Sequence, residues 1–163
     1  MTSLNDTPPP VASSYAGKDL GLVDALAQLS FLVHNALAEI ARQDDLSIIQ
    51  MRLLGVLRDR EPTMNELGRL LGLDKSSISG LVDRAQRRGL VTRAVSTIDR
   101  RAFQVSITDT GRQLAEQCAA RFSERIATLA AGLPDTDRQL LSQLATRIVA
   151  ADAYRRGIDL PTW

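Results

Sequence analysis

The stretch TMNELGRLLGLDKSSISGLVDRAQRRGLVTRAVSTIDRRAFQVSIT, residues 63–108, decides the fold. Thr63 and Glu66 stand three apart, so the hydroxyl can accept an orphan amide at a helix start while the carboxylate reaches back to the cap amide. A helix is therefore expected from Thr63. Met64, Leu67, Leu70 and Leu71 recur at spacings that stack them on one helical face. Gly72 ends the run, because a residue without Cβ enters a left-handed terminal turn cheaply. Asp74 is the next cap, and Ile78, Leu81, Val82 and Ala85 form the inward stripe of a second helix.

The outward face of that second helix carries Lys75, Ser76, Ser77, Ser79, Arg84, Arg87 and Arg88. Small hydroxyls let a helix backbone approach the floor of a DNA major groove, and a helix N-terminus favours phosphate oxygens. Lys75, Ser76, Ser77, Ser79 and Arg84 are thus the candidate contacts to bases and phosphates. A plainer reading stands beside this one: serines are also preferred at helix starts for capping alone. Gly80 occupies a position where a longer side chain could read a base, so direct readout from mid-helix is expected to be thin.

Two strand-like runs follow, Leu90–Val95 and Ala102–Ile107, each nearly alternating apolar and polar residues. Six residues, Ser96 to Arg101, join them as a hairpin. At its tip an extended arginine can enter a narrow minor groove, and an aspartate nearby can hold a guanidinium in place. Asp99, Arg100 and Arg101 are the candidates; which arginine would insert stays open, and a solvated turn is the alternative.

Helix, glycine turn, helix, Arg87-Arg88-Gly89-Leu90-Val91-Thr92-Arg93, then Asp99-Arg100-Arg101 and a strand running into Ile107-Thr108-Asp109-Thr110-Gly111 resemble the MarR family of bacterial transcriptional regulators. The resemblance covers about residues 20–156. It implies a recognition helix starting near Asp74, a wing stabilised and inserted by Asp99, Arg100 and Arg101, and a homodimer reading a two-fold operator in double-stranded DNA.

Composition agrees with a single core. The chain has 163 residues, a formal charge of +1 and one cysteine, Cys118. Its near-neutral sum does not favour a polyanion partner, but Arg84, Arg87, Arg88, Arg93, Arg100 and Arg101 make the middle segment strongly basic, while Asp44, Asp45, Glu61, Asp135 and Asp137 lie elsewhere. One cysteine excludes an internal disulfide and a cysteine-based metal cluster, and a reducing cytoplasm fits. No run of about 18 apolar residues is expected to span a membrane. The first 18 residues, with three successive prolines, read as a flexible arm.

The remaining segments are helical by period. Val23, Leu26, Leu29, Val33, Leu37 and Ile40 mark a first helix, with Leu22, Phe31 and Leu32 adding a second apolar flank. A second helix is expected from Ser47 to a stop before Pro62. Leu114, Cys118, Phe122, Ile126 and Leu129 mark a fifth, and Leu140, Leu141, Leu144, Ile148 and Val149 a sixth. The terminal helices need a surface to bury against, and a homodimer supplies one economically. The expected class is therefore mainly α (α+β): a winged helix-turn-helix DNA-binding lobe over 46–108, dimerisation helices over 19–45 and 109–157, an arm over 1–18 and a tail over 158–163.

Other chemistry finds little support. His34 is the only histidine, no glycine-rich phosphate loop occurs, and the serines have no base at a workable spacing, so an enzyme is not expected, nor a cofactor or metal. The resemblance implies that a small aromatic or phenolic effector binds between the dimer helices and the DNA lobe and releases a repressor from DNA. By that analogy His34 would hydrogen-bond it, with Phe31, Met51 and Arg52 as neighbours. Two rivals remain: a thiol-based redox sensor acting through Cys118, and a winged-helix module that holds a protein partner. In peroxide-sensing members the reactive cysteine lies near the start of the first helix, whereas Cys118 falls in an apolar stripe.

Overall fold

A computed structural model describes residues 19–95 and 102–158. The chain order is α1 (Gly21–Gln43), α2 (Ile48–Asp59), α3 (Met64–Leu71), α4 (Lys75–Arg87), β1 (Val91–Val95), β2 (Phe103–Ile107), α5 (Asp109–Leu129) and α6 (Asp135–Arg156). The protein is mainly helical with a two-stranded antiparallel wing. The segments expected as an N-terminal arm (1–18) and most of the tail (159–163) lie outside the described residues, as do Asp99, Arg100 and Arg101.

Helix starts follow local capping. Ser47 accepts from the Gln50 amide at 3.3 Å while the Gln50 carboxamide accepts from the Ser47 amide at 2.9 Å. Thr63 and Glu66 form the same reciprocal pair at 3.3 and 2.8 Å, so two adjacent helices begin alike. Gly72 ends α3 at φ 69°, a left-handed conformation that lets its amide and that of Leu73 return to α3 carbonyls.

The core lies where α2, α3, α4, β1 and β2 meet the C-terminal half of α1 and the start of α5. Leu53, Leu54, Leu57, Leu67, Leu81, Val82, Val91 and Val105 are its fully buried large side chains. Every member of the α4 stripe read from sequence, Ile78, Leu81, Val82 and Ala85, is buried. In α3 only Leu67 and Leu71 are fully buried among the four expected; Met64 and Leu70 pack at the core's edge.

Strand alternation holds only near the lobe. Val91 pairs with Ile107 and Val95 with Phe103, but Val95 and Phe103 are both exposed because the hairpin extends past the last layer that could cover them. β2 is also tied to the turn before α3: the Val105 amide donates to the Pro62 carbonyl at 3.0 Å, and Gln104 donates to the Glu61 carbonyl at 3.2 Å. The wing is thereby fixed to the helix-turn-helix at its base.

One close approach sets α5. Thr108 caps it by accepting from the Gly111 amide at 3.0 Å and donates to the Gly89 carbonyl at 2.7 Å. A Cβ on Gly111 would lie 2.1 Å from the Leu90 carbonyl oxygen, so only glycine fits.

The terminal helices are left half-clothed. α1 buries Ala36, Ile40 and Ala41 but exposes Leu22, Val23, Phe31 and Leu32. α6 buries only Ala153 and exposes Leu140, Leu141, Leu144, Ile148 and Val149. The expectation of no membrane-length run needs correcting. α1 is long and apolar enough to cross a membrane by length and composition, with mean hydropathy 1.2. Counting uninterrupted apolar residues misses it, because Gln28, Ser30, His34 and Asn35 break the run without lowering its mean far.

Candidate nucleic-acid interface

The helix-turn-helix presents the exposed face of α4 between α2 and the wing. Lys75, Ser76, Ser77 and Arg84 are exposed, and Ser79 is half-buried. The cap of α4 engages two of these. Asp74 accepts from the Ser77 amide at 2.8 Å, from the Ser76 hydroxyl at 2.7 Å and from the Ser77 hydroxyl at 2.8 Å. Asp74 is the cap and both serine hydroxyls donate to it, which leaves their oxygen lone pairs and the outer helix surface facing solvent. The Ser76 hydroxyl, followed by the Ser77 amide and hydroxyl, holds the Asp74 carboxyl well below the usual carboxylate range.

Beyond the cap, Gly80 leaves a hollow of about 300 Å³ flanked by Ile49, Leu73, Ser77 and Arg84. A Cβ there would meet the end of the Arg84 side chain at 3.3 Å. The thin mid-helix readout expected from Gly80 thus corresponds to a shallow gap that Arg84 leans across.

Two cations missed as site residues by sequence position prove to be internal braces. Arg93 on β1 lies 2.5 Å from the Asp83 carboxylate of α4. Arg88, read from sequence as part of the outward face, turns instead to the corner between α1 and α2. No local pattern announces either pairing, since each joins elements that meet only on folding.

The residues proposed around an effector lie on α1 and α2. His34 and Phe31 are exposed on α1, and Arg52 is exposed on α2. Met51 is buried and lines a cavity of about 10 Å³ with Gly55, Ala115, Cys118 and Phe122. That is room for at most one water molecule. A larger open hollow of about 640 Å³ lies between α3 and the end of α6, bordered by Glu61, Glu66, Arg69, Leu70, Arg156 and Ile158.

Cys118 is 2% exposed, and its thiol donates to Asp44 at 3.5 Å. Burial, then the Asp44 carboxylate, push its pKa up, so the reactive thiolate is disfavoured. Among the described residues no group of three His, Cys, Asp or Glu side chains is placed to hold a metal ion.

A capped helix-turn-helix followed by a two-stranded hairpin braced against its second helix defines a winged helix-turn-helix protein. A profile described as "MarR family" matches residues 44–102. The organic hydroperoxide resistance transcriptional regulator of Bacillus subtilis (strain 168) is 30% identical over 98 residues, 55% of this chain and 67% of the relative. The uncharacterized HTH-type regulator YwaE of the same organism is 25% identical over 83 residues, covering 51% of this chain and 48% of the relative. The chain spans about half the length of YwaE and two thirds of the hydroperoxide regulator.

Solved structures extend the likeness. A MarR-family transcriptional regulator from Rhodococcus sp. RHA1 superimposes with TM-score 0.68 at 25% identity, over 80% of this chain and 96% of that one. MepR of S. aureus in a DNA complex gives 0.67 at 20% identity over 82% and 99%. NadR in complex with 4-hydroxyphenylacetate gives 0.65 at 21% identity over 80% and 94%. The chain belongs to the MarR family of winged helix-turn-helix transcription regulators, which are not enzymes.

Proposed function

We propose that this chain is a cytoplasmic, homodimeric repressor that reads a two-fold operator and is released from it by a small aromatic or phenolic molecule. The observation that carries the reading is the exposed face of α4, with Lys75, Ser76, Ser77, Ser79 and Arg84 around it, on a helix braced to the wing through Asp83 and Arg93. A major groove accepts such a helix, and Asp99, Arg100 and Arg101 would reach the adjacent minor groove. MepR has been seen with DNA, which supports the same use of the same fold.

Dimerisation is supported by the apolar side chains of α1 and α6 that one copy leaves in water, Leu22 and Val23 at 75% and 79% exposure among them. Burying such residues against a second copy removes them from solvent and sets two α4 helices apart by a fixed distance. In this assignment α1 and α5–α6 (19–45 and 109–157) dimerise, and 46–108 read DNA. NadR holds 4-hydroxyphenylacetate, which supports an aromatic anion as effector. His34 is the proposed hydrogen-bonding group, with Phe31, Met51 and Arg52 nearby once the second copy is in place. Such a ligand acts by binding more tightly to the dimer whose recognition helices are wrongly spaced.

The test is binding of the whole chain to duplexes from the DNA flanking its own gene, by anisotropy against nonspecific competitor, with light scattering in parallel. A dimer that binds one duplex specifically, weakens steeply with salt and dissociates with one member of a panel of aromatic acids is expected. Arg100→Ala and Arg101→Ala should each be compared; unchanged affinity in both would remove the wing from the interface. A monomer, or tight binding to a protein partner without specific DNA binding, would overturn the reading.

A further inference from the structure

Arg88 follows directly on the last turn of α4, where its charge is equally suited to meeting a DNA phosphate. Its side chain is already committed elsewhere. Nη1 donates to the Asp45 carbonyl at 2.6 Å and Nη2 to the Asp44 carbonyl at 3.0 Å. Those carbonyls form the corner between α1 and α2, where Asp45 takes φ 54°, a left-handed conformation uncommon for a residue with a side chain. The same corner is gripped from α5: Arg121 pairs with the Asp44 carboxylate and donates to the Gln43 side chain at 3.1 Å. The corner, through Asp44 and Asp45, therefore ties the end of α4 to α1 and α5.

We infer that Arg88 is a positioning residue for DNA recognition: it sets the angle of α4 by anchoring its C-terminal end to the α1–α2 corner, and it is not a phosphate contact. The inference rests on the DNA-binding reading above. Its chemistry is specific to arginine, whose planar fork spans two neighbouring carbonyl oxygens; lysine carries the same charge as a single point. A phosphate contact, by contrast, accepts lysine readily. Because α1 carries an apolar surface that a second copy would cover, the corner also passes the arrangement of the dimer on to α4.

Arg88→Lys, Arg88→Ala and the exposed control Arg87→Ala distinguish the two roles through the salt dependence of operator binding, from about 50 to 200 mM. Both Arg88 variants should lose about tenfold in affinity while the slope of log K against log salt stays that of the parent. If Arg88→Lys binds like the parent and Arg88→Ala flattens the slope by about 0.9, Arg88 touches phosphate and the inference fails. Should Arg88→Ala not fold, the lysine variant decides.

A second readout needs no DNA. Native-state amide exchange at Leu46, whose amide donates to the Ala41 carbonyl at 2.8 Å, and at Gly89, bonded to the Gln86 carbonyl at 2.9 Å, should quicken at least tenfold in Arg88→Lys. Unchanged exchange at both overturns the inference. Failure of the parent chain to bind any duplex would instead sink the DNA-binding reading, and exchange would still decide whether Arg88 holds the helix end.

Discussion

Arg93 on β1 and Asp83 on α4 are joined by a 2.5 Å contact, and the same Arg93 nitrogen reaches the Ser79 carbonyl at 3.4 Å. The wing and the candidate recognition helix are thus held by one guanidinium nitrogen, and Arg93 Nε is buried without a hydrogen-bond partner among the described residues. The pair is partly exposed, at 23% and 45% for the two side chains, so its contribution to stability is modest. Its contribution to placement is larger, because it joins β1 directly to α4, whereas the bonds of Val105 and Gln104 tie β2 to the turn before α3.

Arg93→Ala should therefore cost about 1 kcal/mol in urea unfolding and a larger share of specific DNA affinity, about tenfold. Asp83→Ala should match it, and the double variant should lose no more than either alone. Additive losses in the double-mutant cycle would show that the two side chains act separately.

Gly111→Ala tests the close approach of α5 to Leu90. Its Cβ would lie 2.1 Å from the Leu90 carbonyl oxygen and 2.9 Å from Ile107, so backbone has to move. Overpacking against backbone costs about 3 kcal/mol, read as a lower urea midpoint at unchanged m-value. Gly132→Ala, where a Cβ meets nothing within 4 Å, should leave the midpoint near that of the parent.

Acid should loosen the helix-turn-helix through its caps. The Thr63 amide, followed by its hydroxyl, lowers the Glu66 pKa, and Ser76 and Ser77 lower that of Asp74. A carboxyl depressed on folding stabilises the fold above its unfolded pKa, about 3.9 for Asp and 4.3 for Glu, and that stabilisation is lost as pH falls through the folded value. Carboxyl chemical shifts should place both midpoints below those unfolded values, with exchange at the Ser77 and Thr63 amides, which donate to Asp74 and Glu66, quickening as each group protonates. A midpoint for Asp74 at or above about 3.9 would contradict the cap geometry.

Cys118 should react slowly. Its burial and raised pKa predict labelling by a soluble thiol reagent that is far slower in the native state than in denaturant. Cys118→Ser should bind DNA with and without oxidant as the parent does. Oxidant-dependent release lost only in the serine variant would establish a redox sensor instead.

Much of this molecule is readable along the chain. The Thr63–Glu66 and Asp74 caps, the left-handed Gly72 and the buried α4 stripe depend on residues within four positions of one another, so local pattern suffices. The Ser47–Gln50 box obeys the same rule, its glutamine standing three residues after the serine. The candidate interface is less legible. Ser76 and Ser77 fit groove contact and capping equally well as letters, and geometry shows both hydroxyls on Asp74. The exposure of Val95 and Phe103 escapes an alternation rule because that rule assumes a covering layer that ends sooner than the strands do.

Sequence by itself determined the element order, the starts of α2, α3 and α4 and the membership of the inner face of α4, since these follow from hydrogen bonds and apolar spacing of short range. Only tertiary structure decided what each cation does. Arg84, Arg88 and Arg93 are alike as charges in one basic segment, yet Arg84 leans across Gly80 in solvent, Arg88 forks onto the Asp44 and Asp45 carbonyls, and Arg93 braces Asp83. The reason is reach: a guanidinium finds its partner across whichever elements the core brings together, and that docking is written in no single stretch of chain.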